Sequence, residues 1–351
     1  MESYIHLYGT NSEFTAAYNS PDYKEPWLSL TEENMEVNYN KPKLIDFSTE
    51  PLTFNIVSDG TINWTVLGSS AKTIEYNLND GDWTSITSNT EGVKIPVNPG
   101  DKVQFRGNNA QYCDGASFNM FSGSTAGFEV EGNIMSLINS ENFATLTKLE
   151  TGLTFIRLFT DCTGLTSAEN LILPATTLAY YCYGGMFLGC TSLTTAPALP
   201  ATTLADYCYA MMFHGCTKLT TAPQLPATKL ASICYQYMFQ GCTSLKTAPA
   251  LPATDLAYGC YAVMFYGCTS LTTAPELPAT TLAESCYASM FQDCTSLNYI
   301  KCLATDISAT DCTLDWVGGV ASTGTFVKPS SMASWSTGTS GIPTGWTVQN
   351  A

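Results

Sequence analysis

The strongest constraint on this chain is that it repeats itself. Leu173-Pro-Ala-Thr-Thr-Leu-Ala recurs with one variable residue at Leu199, Leu225, Leu251 and Leu277, a period of 26 residues, so five near-identical units run from Leu173 to Cys302. A unit this short cannot bury its apolar side chains alone and must stack on its neighbours, which makes the fold an array of rungs. Each unit reads Leu-Pro-Ala-Thr-x-Leu-Ala-x-x-Cys-Tyr-x-x-Met-Phe-x-Gly-Cys-Thr-x-Leu-x-x-Ala-Pro-x, and the last copy drifts to Asn298-Tyr-Ile-Lys at its end. A degenerate copy, Leu158-Phe-Thr-Asp-Cys162-Thr-Gly-Leu165, precedes them, and Leu303 with Cys312 begins another after them. Irregular end copies suit an array whose open core must be closed.

Within a unit, Leu178, Cys182 and Met186 fall at i, i+4 and i+8, with Tyr183 and Phe187 beside them. This spacing predicts a helix over 178–188. On a helical wheel the residues that stay constant between copies fill one half and those that vary fill the other, as inward and outward faces would. Gly189, Gly215, Gly241 and Gly267 then stand where a helix C-cap favours glycine. The following Thr-Ser-Leu-Thr-Thr-Ala-Pro predicts a short extended segment pairing with its counterpart one rung along. Strands stack at about 4.8 Å and helices at about 8–10 Å, so such an array would curve into a horseshoe with its strands on the concave side.

The run Met-Phe-x-Gly-Cys-Thr-Ser-Leu-x-x-Ala-Pro-x-Leu-Pro-Ala-Thr-x-Leu resembles the BspA-type leucine-rich repeat of gut Bacteroidales proteins, over roughly residues 150–325. That resemblance implies a surface protein that adheres and binds ligands. The chain departs from the commoner pattern by placing Pro197, Pro223, Pro249 and Pro275 in or beside the strand. Each proline removes a ladder donor and so interrupts the expected concave sheet.

Ahead of the repeat, residues 48–130 read as an all-β module. Leu52 to Val57 alternates and turns at Asp59-Gly60 into Ile62 to Val66, as one hairpin. Ile74 to Leu78 turns through Asn79-Asp-Gly-Asp82 into Trp83 to Ile86 as a second, and Val93 to Val97 with Val103 to Phe105 supplies the next pair. A β-sandwich of immunoglobulin-like size is expected, with Trp64, Tyr76, Trp83 and Phe105 in its core. The fold class is thus α+β: an N-terminal β-sandwich followed by a curved leucine-rich-repeat solenoid of one short strand and one helix per rung. Residues 1–47 form an N-terminal tether or anchor, 48–130 the sandwich, 131–328 the solenoid and 329–351 a C-terminal closing segment. Tyr23 to Ser29 and Val37 to Lys41 resemble N-terminal segments of virion proteins from phages that infect Bacteroidales.

Charge and composition narrow the function. Against 14 Lys and Arg stand 30 Asp and Glu, a net charge of -16. Such a chain repels phosphate backbones and anionic membranes, so no nucleic-acid partner and no membrane insertion are expected. Met1 to Gly9 lacks the basic-then-apolar order of a secretory signal, so the expectation is a leaderless chain. Two histidines, His6 and His214, leave little from which to build zinc sites or triads. Of 14 cysteines, ten fall as one pair per rung eight residues apart, a spacing that fits core thiols better than metal ligands or a disulfide framework. Asp80, Asp82, Thr84 and Glu91 imitate a calcium loop but lack its sixth-position glycine, so a hairpin turn is the expectation there. No catalytic residue, metal ligand or cofactor is assigned.

The variable face carries Tyr180, Tyr181, Tyr207, Met211, Ile233, Tyr237, Tyr258, Val263 and Tyr266, an unusually aromatic set for solvent-facing positions. Tyr181, Tyr207, Met211, Tyr237 and Tyr266 are the candidate binding residues. The competing reading wedges such side chains between adjacent helices. The expected function is a non-catalytic surface-exposed binding or adhesion protein, a phage head fibre or capsid decoration contacting a host-surface glycan or protein. It would sit on the virion surface, anchored to a capsid or other virion protein through residues 1–47, with homo-oligomerisation left open. A cytosolically assembled particle reconciles an exposed binding protein with the absent export signal. The alternatives are a secreted or cell-surface bacterial adhesin, a structural virion spacer and a glycan-processing enzyme.

Overall fold

A computed structural model describes residues 46–332 and 335–351, and Asp46–Ala351 forms one compact unit. Of the tether or anchor expected over residues 1–47, residues 1–45, with both virion-like segments, lie outside the described residues. Eight strands open the unit: β1 (Leu52–Ile56), β2 (Gly60–Leu67), β3 (Thr73–Leu78), β4 (Thr84–Thr87), β5 (Val93–Val97), β6 (Lys102–Arg106), β7 (Phe118–Met120) and β8 (Phe128–Asn133). β9 (Leu165–Ile172) completes a six-stranded sheet ordered β4-β3-β6-β1-β8-β9, and β5-β2-β7 forms a second sheet. Of the three expected strand pairs only β3–β4 forms, through Asn79 and Asp80 at φ 54° and 57°. The other two turns carry the chain between sheets: β1 pairs with β6 and β8, whereas β2 pairs with β5 and β7. At Asp59-Gly60, Gly60 is the needed residue, because at φ 150° a Cβ there would lie 2.5 Å from the Ala126 nitrogen. Phe54 sits at the centre of the packing, with its ring centroid 4.8–4.9 Å from those of Phe105, Phe121 and Phe128.

The repeat region overturns the α+β class and the leucine-rich-repeat assignment. No α-helix occurs among the described residues, and the helical elements are two short 3-10 turns, Ile134–Leu137 and Phe143–Thr145. The expected helix over 178–188 is instead a chain of overlapping β-turns. Its N–H groups alternate between two kinds of acceptor. Cys182, Gly184, Met186, Leu188 and Cys190 each donate three residues back, to Ala179, Tyr181, Tyr183, Gly185 and Phe187. Tyr181, Tyr183, Gly185, Phe187 and Gly189 donate to the next rung, to Asp206, Cys208, Ala210, Met212 and His214, at 2.8–3.0 Å. Every backbone donor from Tyr181 to Cys190 is thereby paired without an α-helix.

One residue in four bends the chain back by adopting the left-handed region. Leu153, Arg157 and Asp161 do so in the first rung, Tyr181, Gly185 and Gly189 in the next, and the pattern continues to Asp311, Asp315 and Gly319. Gly189, Gly215, Gly241 and Gly267, at φ 70–74°, are therefore turn residues and not helix caps. The apparent i, i+4, i+8 periodicity has the same origin. A four-residue turn unit points two side chains inward, so Cys182 and Tyr183, Met186 and Phe187, then Cys190 are buried. A helix would also hold its neighbours about 8–10 Å away, whereas successive phenylalanine rings here lie 5.3–5.7 Å apart. The pitch mismatch that would have curved the array into a horseshoe is absent.

Two aromatic columns run through the stack. Phe159, Phe187, Phe213, Phe239, Phe265 and Phe291 stack within 12° of parallel. Phe155, Tyr183, Tyr209, Tyr235, Tyr261 and Tyr287 form the other, 5.7–6.1 Å apart. Both begin against the sandwich, at Phe121 and Tyr112, and both end on Trp316, which Trp335 covers in turn. On the opposite wall proline decides where strands form. The Ala-Pro rungs are joined by isolated bridges, such as Thr221 to Thr247. Where proline is missing, β9 pairs with β8, and β10 (Tyr299–Lys301) pairs in parallel with β11 (Thr325–Lys328), which in turn pairs with β12 (Thr347–Asn350). The drift to Asn298-Tyr-Ile-Lys thus restores a strand by restoring its donors.

Candidate functional site: the outer aromatic face

The residues that vary between rungs include the left-handed positions. Tyr181, Tyr207, Met211 and Tyr237 have φ of 52°, 61°, 60° and 58°. The first two left-handed residues of each rung interrupt the inward-facing pairs, project away from the columns and vary, whereas the third is glycine in four of the five near-identical rungs. Tyr266 differs: it precedes a left-handed glycine, and the Asp293 carboxylate beside it holds its hydroxyl above the usual phenol range, by a hydrogen bond first and by charge second. All five candidates are half-buried. Neither a fully exposed face nor a buried inter-helix wedge describes them.

Tyr181 and Tyr207 come together, with ring centroids 5.4 Å apart at 62°. Met211, Tyr237 and Tyr266 join no aromatic pair among the described residues. Tyr180 completes the cluster at 5.9 Å from Tyr181 and 5.7 Å from Tyr207, with a relative exposure of 53%. Three rings at 57–69° to one another form an open corner instead of a flat stack. Burial is the largest influence on the Tyr181 hydroxyl and raises its pKa, while the Arg157 charge opposes it.

The backbone beneath this corner is bare. A Cβ on Gly184 would lie 2.4 Å from two Tyr181 ring carbons, and one on Gly185 would lie 3.3 Å from Cγ of Arg157. The Arg157 guanidinium extends over the Phe118 ring, 5.0 Å from its centroid. Arg157 and Gly184 escaped the sequence reading, although a signal existed. In the other full rungs these two positions read Ala210-Met211, Gln236-Tyr237, Ala262-Val263 and Ala288-Ser289, so the Gly-Gly pair stands out against the repeat.

The opposite wall is shallower in chemistry. An open groove of about 490 Å³ runs along Pro197, Pro200, Pro223 and Pro226, with Glu169 and Gln224 at its rim. The 14 cysteines are all free and buried. Those of one column donate S–H to the Phe carbonyl of the preceding rung, as Cys216 does to Phe187 and Cys242 to Phe213, at 3.2 and 3.1 Å. Burial pushes the Cys182, Cys242 and Cys260 thiols up to about 12. No group of His, Cys, Asp and Glu among the described residues is arranged to hold a metal ion. The Asp80 to Glu91 segment is the β3–β4 turn, β4 and the turn that follows it. No family model matches the chain, and no curated protein or solved structure matches it.

Proposed function

We propose that this chain is a non-catalytic, surface-exposed binding protein, a phage virion component that contacts a host-surface glycan or protein through the outer face of its repeat stack. The observation that carries the reading is the Tyr180–Tyr181–Tyr207 corner. Tyrosine offers stacking area and a hydroxyl at small entropic cost, and the stack holds these rings on a rigid backbone bonded from rung to rung. Support for assembly inside a cell comes from the thiols. A stack whose buried cysteines donate hydrogen bonds as free S–H groups suits a reducing compartment, followed by exposure on lysis.

The test is retention of the labelled protein on a glycan array and on host cells, for the parent and a Tyr180→Ser/Tyr207→Ser double variant. The reading expects retention without turnover by the parent, and loss with an unchanged melting temperature in the variant. Equal retention of both proteins would contradict it. Release of cleaved sugar would assign the chain to an enzyme class instead. Mass spectrometry of purified particles tests the location, which fails if the protein is missing from them.

A further inference from the structure

Resting on that reading of the outer face, we infer that the corner takes an acidic sugar, with Arg157 binding its carboxylate while Tyr180, Tyr181 and Tyr207 pack on its ring. The chain has only two arginines, Arg106 and Arg157. They are used differently. Arg106 lies 4.1 Å above Trp83 and is committed to Glu75 at 2.7 Å. Arg157 lies over Phe118, and among the described residues neither a carboxylate nor a hydrogen-bond acceptor engages its guanidinium. A planar fork held on an aromatic ring beside an exposed tyrosine corner matches a carboxylate bidentately.

The repeat itself supplies the second argument. Five near-identical rungs act as internal controls for one another, and the departures that build the corner fall in the first of them, with Tyr207 supplied by the second. The first rung gains Tyr180 and Tyr181 where the others read Asp206-Tyr207, Ser232-Ile233, Tyr258-Gly259 and Glu284-Ser285. It also loses both side chains at Gly184 and Gly185, the two places where Tyr181 and Arg157 lean. Gly184 accepts the Arg157 N–H at 2.9 Å, so the arginine enters from the rung below at the same point. Tyr258, at the equivalent position three rungs on, is exposed too but joins no aromatic pair among the described residues, so the clustering of three rings over cleared backbone, and not exposure alone, sets the first rung apart.

The ligand class follows from ring shape and charge. Pyranose rings present a C–H face to tyrosine and hydroxyls to its phenol group. The net charge of -16 opposes a densely anionic polymer at long range, while Arg157 offers one local positive site. An isolated carboxylate on a sugar ring fits both facts, and a heavily sulfated chain does not.

The experiment uses the full chain and immobilised uronic-acid oligosaccharides, compared with the same oligosaccharides after carboxyl reduction, which removes the charge and keeps the ring. Binding should fall at least about tenfold on reduction, the scale of one charge-assisted contact. Arg157→Gln should erase the difference between the two ligands. Gly184→Ala, which displaces the Tyr181 ring, should weaken both, and its melting temperature shows that it still folds. Equal binding of reduced and unreduced ligands, or an undiminished preference in Arg157→Gln, would overturn the acidic-sugar assignment while leaving the outer face as the binding surface. Tighter binding to heparin than to uronic oligosaccharides would also overturn it. Retention on host cells with no sugar bound in either form would show a protein ligand and reject it. Loss of both sugar and cell retention would remove the binding reading too.

Discussion

The sandwich and the repeat stack share one core but solve the same packing problem differently. Around Phe54 the rings meet at 0°, 58° and 62°, one stacked and two steeply inclined. In the stack, Phe187, Phe213 and Phe239 repeat one contact at 1° and 3°. The sandwich pairs strands at many different sequence separations, β1 with β6 and β8 and β2 with β5 and β7, so no single spacing describes its order. The stack pairs each residue with its own image 26 positions away, so its order lies across the rungs. Translational identity lets a backbone adopt left-handed residues that no isolated segment would keep, because the rung on each side fixes them. Of the 21 such positions in the stack 14 are not glycine, including Ile233 and Val263. Each costs roughly 1–2 kcal/mol, and the cross-rung hydrogen bonds and aromatic columns offset it.

The largest effect that separates the two regions is one of register. Deleting Leu225 to Ala250 removes a whole rung and should leave a shorter folded stack, since its neighbours then meet with identical faces. Deleting ten residues of that rung should abolish folding of the stack, measured by loss of cooperative thermal unfolding. If the ten-residue deletion melts like the parent, the rung assignment fails.

Alkaline pH sharpens the contrast next. Thirteen of the 14 cysteines lie in the stack and only Cys113 in the sandwich. Burial holds the stack thiols protonated, to about 12 at Cys182, Cys242 and Cys302 against an ordinary value of 9.0. Between those limits the unfolded chain releases protons that the folded chain keeps, so stability is fully present below pH 9 and falls as pH rises. Each such thiol contributes up to about 1.4 kcal/mol per pH unit, so denaturant midpoints should drop steeply between pH 9 and 10.5. A flat profile would mean that the thiols are accessible.

A smaller effect has the opposite sign. The hydroxyls of Tyr183, Tyr209 and Tyr235 are buried without a partner. An unsatisfied buried hydroxyl costs about 1–3 kcal/mol, so Tyr235→Phe should stabilise the stack by about 1 kcal/mol in chemical denaturation. Destabilisation would show that the hydroxyl has found an acceptor.

Much of this was legible in the sequence, and the largest failure has one cause. The period, its irregular ends and the inward set of Cys, Tyr, Met and Phe follow from the repeat. The effect of proline on the strands was also readable, as Pro197 and Asn298-Tyr-Ile-Lys show at opposite extremes. The conformation joining the inward residues was not. A strict four-residue turn and a 3.6-residue helix place Leu178, Cys182 and Met186 alike over so short a span. The glycines at 184, 185 and 259 were the discriminating signal, since a helix interior disfavours them. Two sandwich turns misled because Asp59-Gly60 and Asn98-Pro-Gly-Asp101 suit a hairpin and a crossing equally. At the outer face the variable tyrosines were visible, but Arg157 was not, because its partners Gly185 and Phe118 lie 28 and 39 positions away.

The central claim is that the outer wall is a left-handed-punctuated turn chain and not a helix, and Val263 tests it most directly. Val263 has φ 60° and is half-buried. Val263→Ala and Val263→Gly remove nearly the same side chain, so their difference isolates the backbone. In a helix the alanine variant is the more stable by about 1 kcal/mol. At a left-handed position the order reverses, because glycine alone escapes the Cβ clash. Equilibrium denaturation of the pair should find Val263→Gly more stable than Val263→Ala by about 1 kcal/mol. The reverse order, with alanine ahead by a similar margin, would contradict the turn chain and restore the helix.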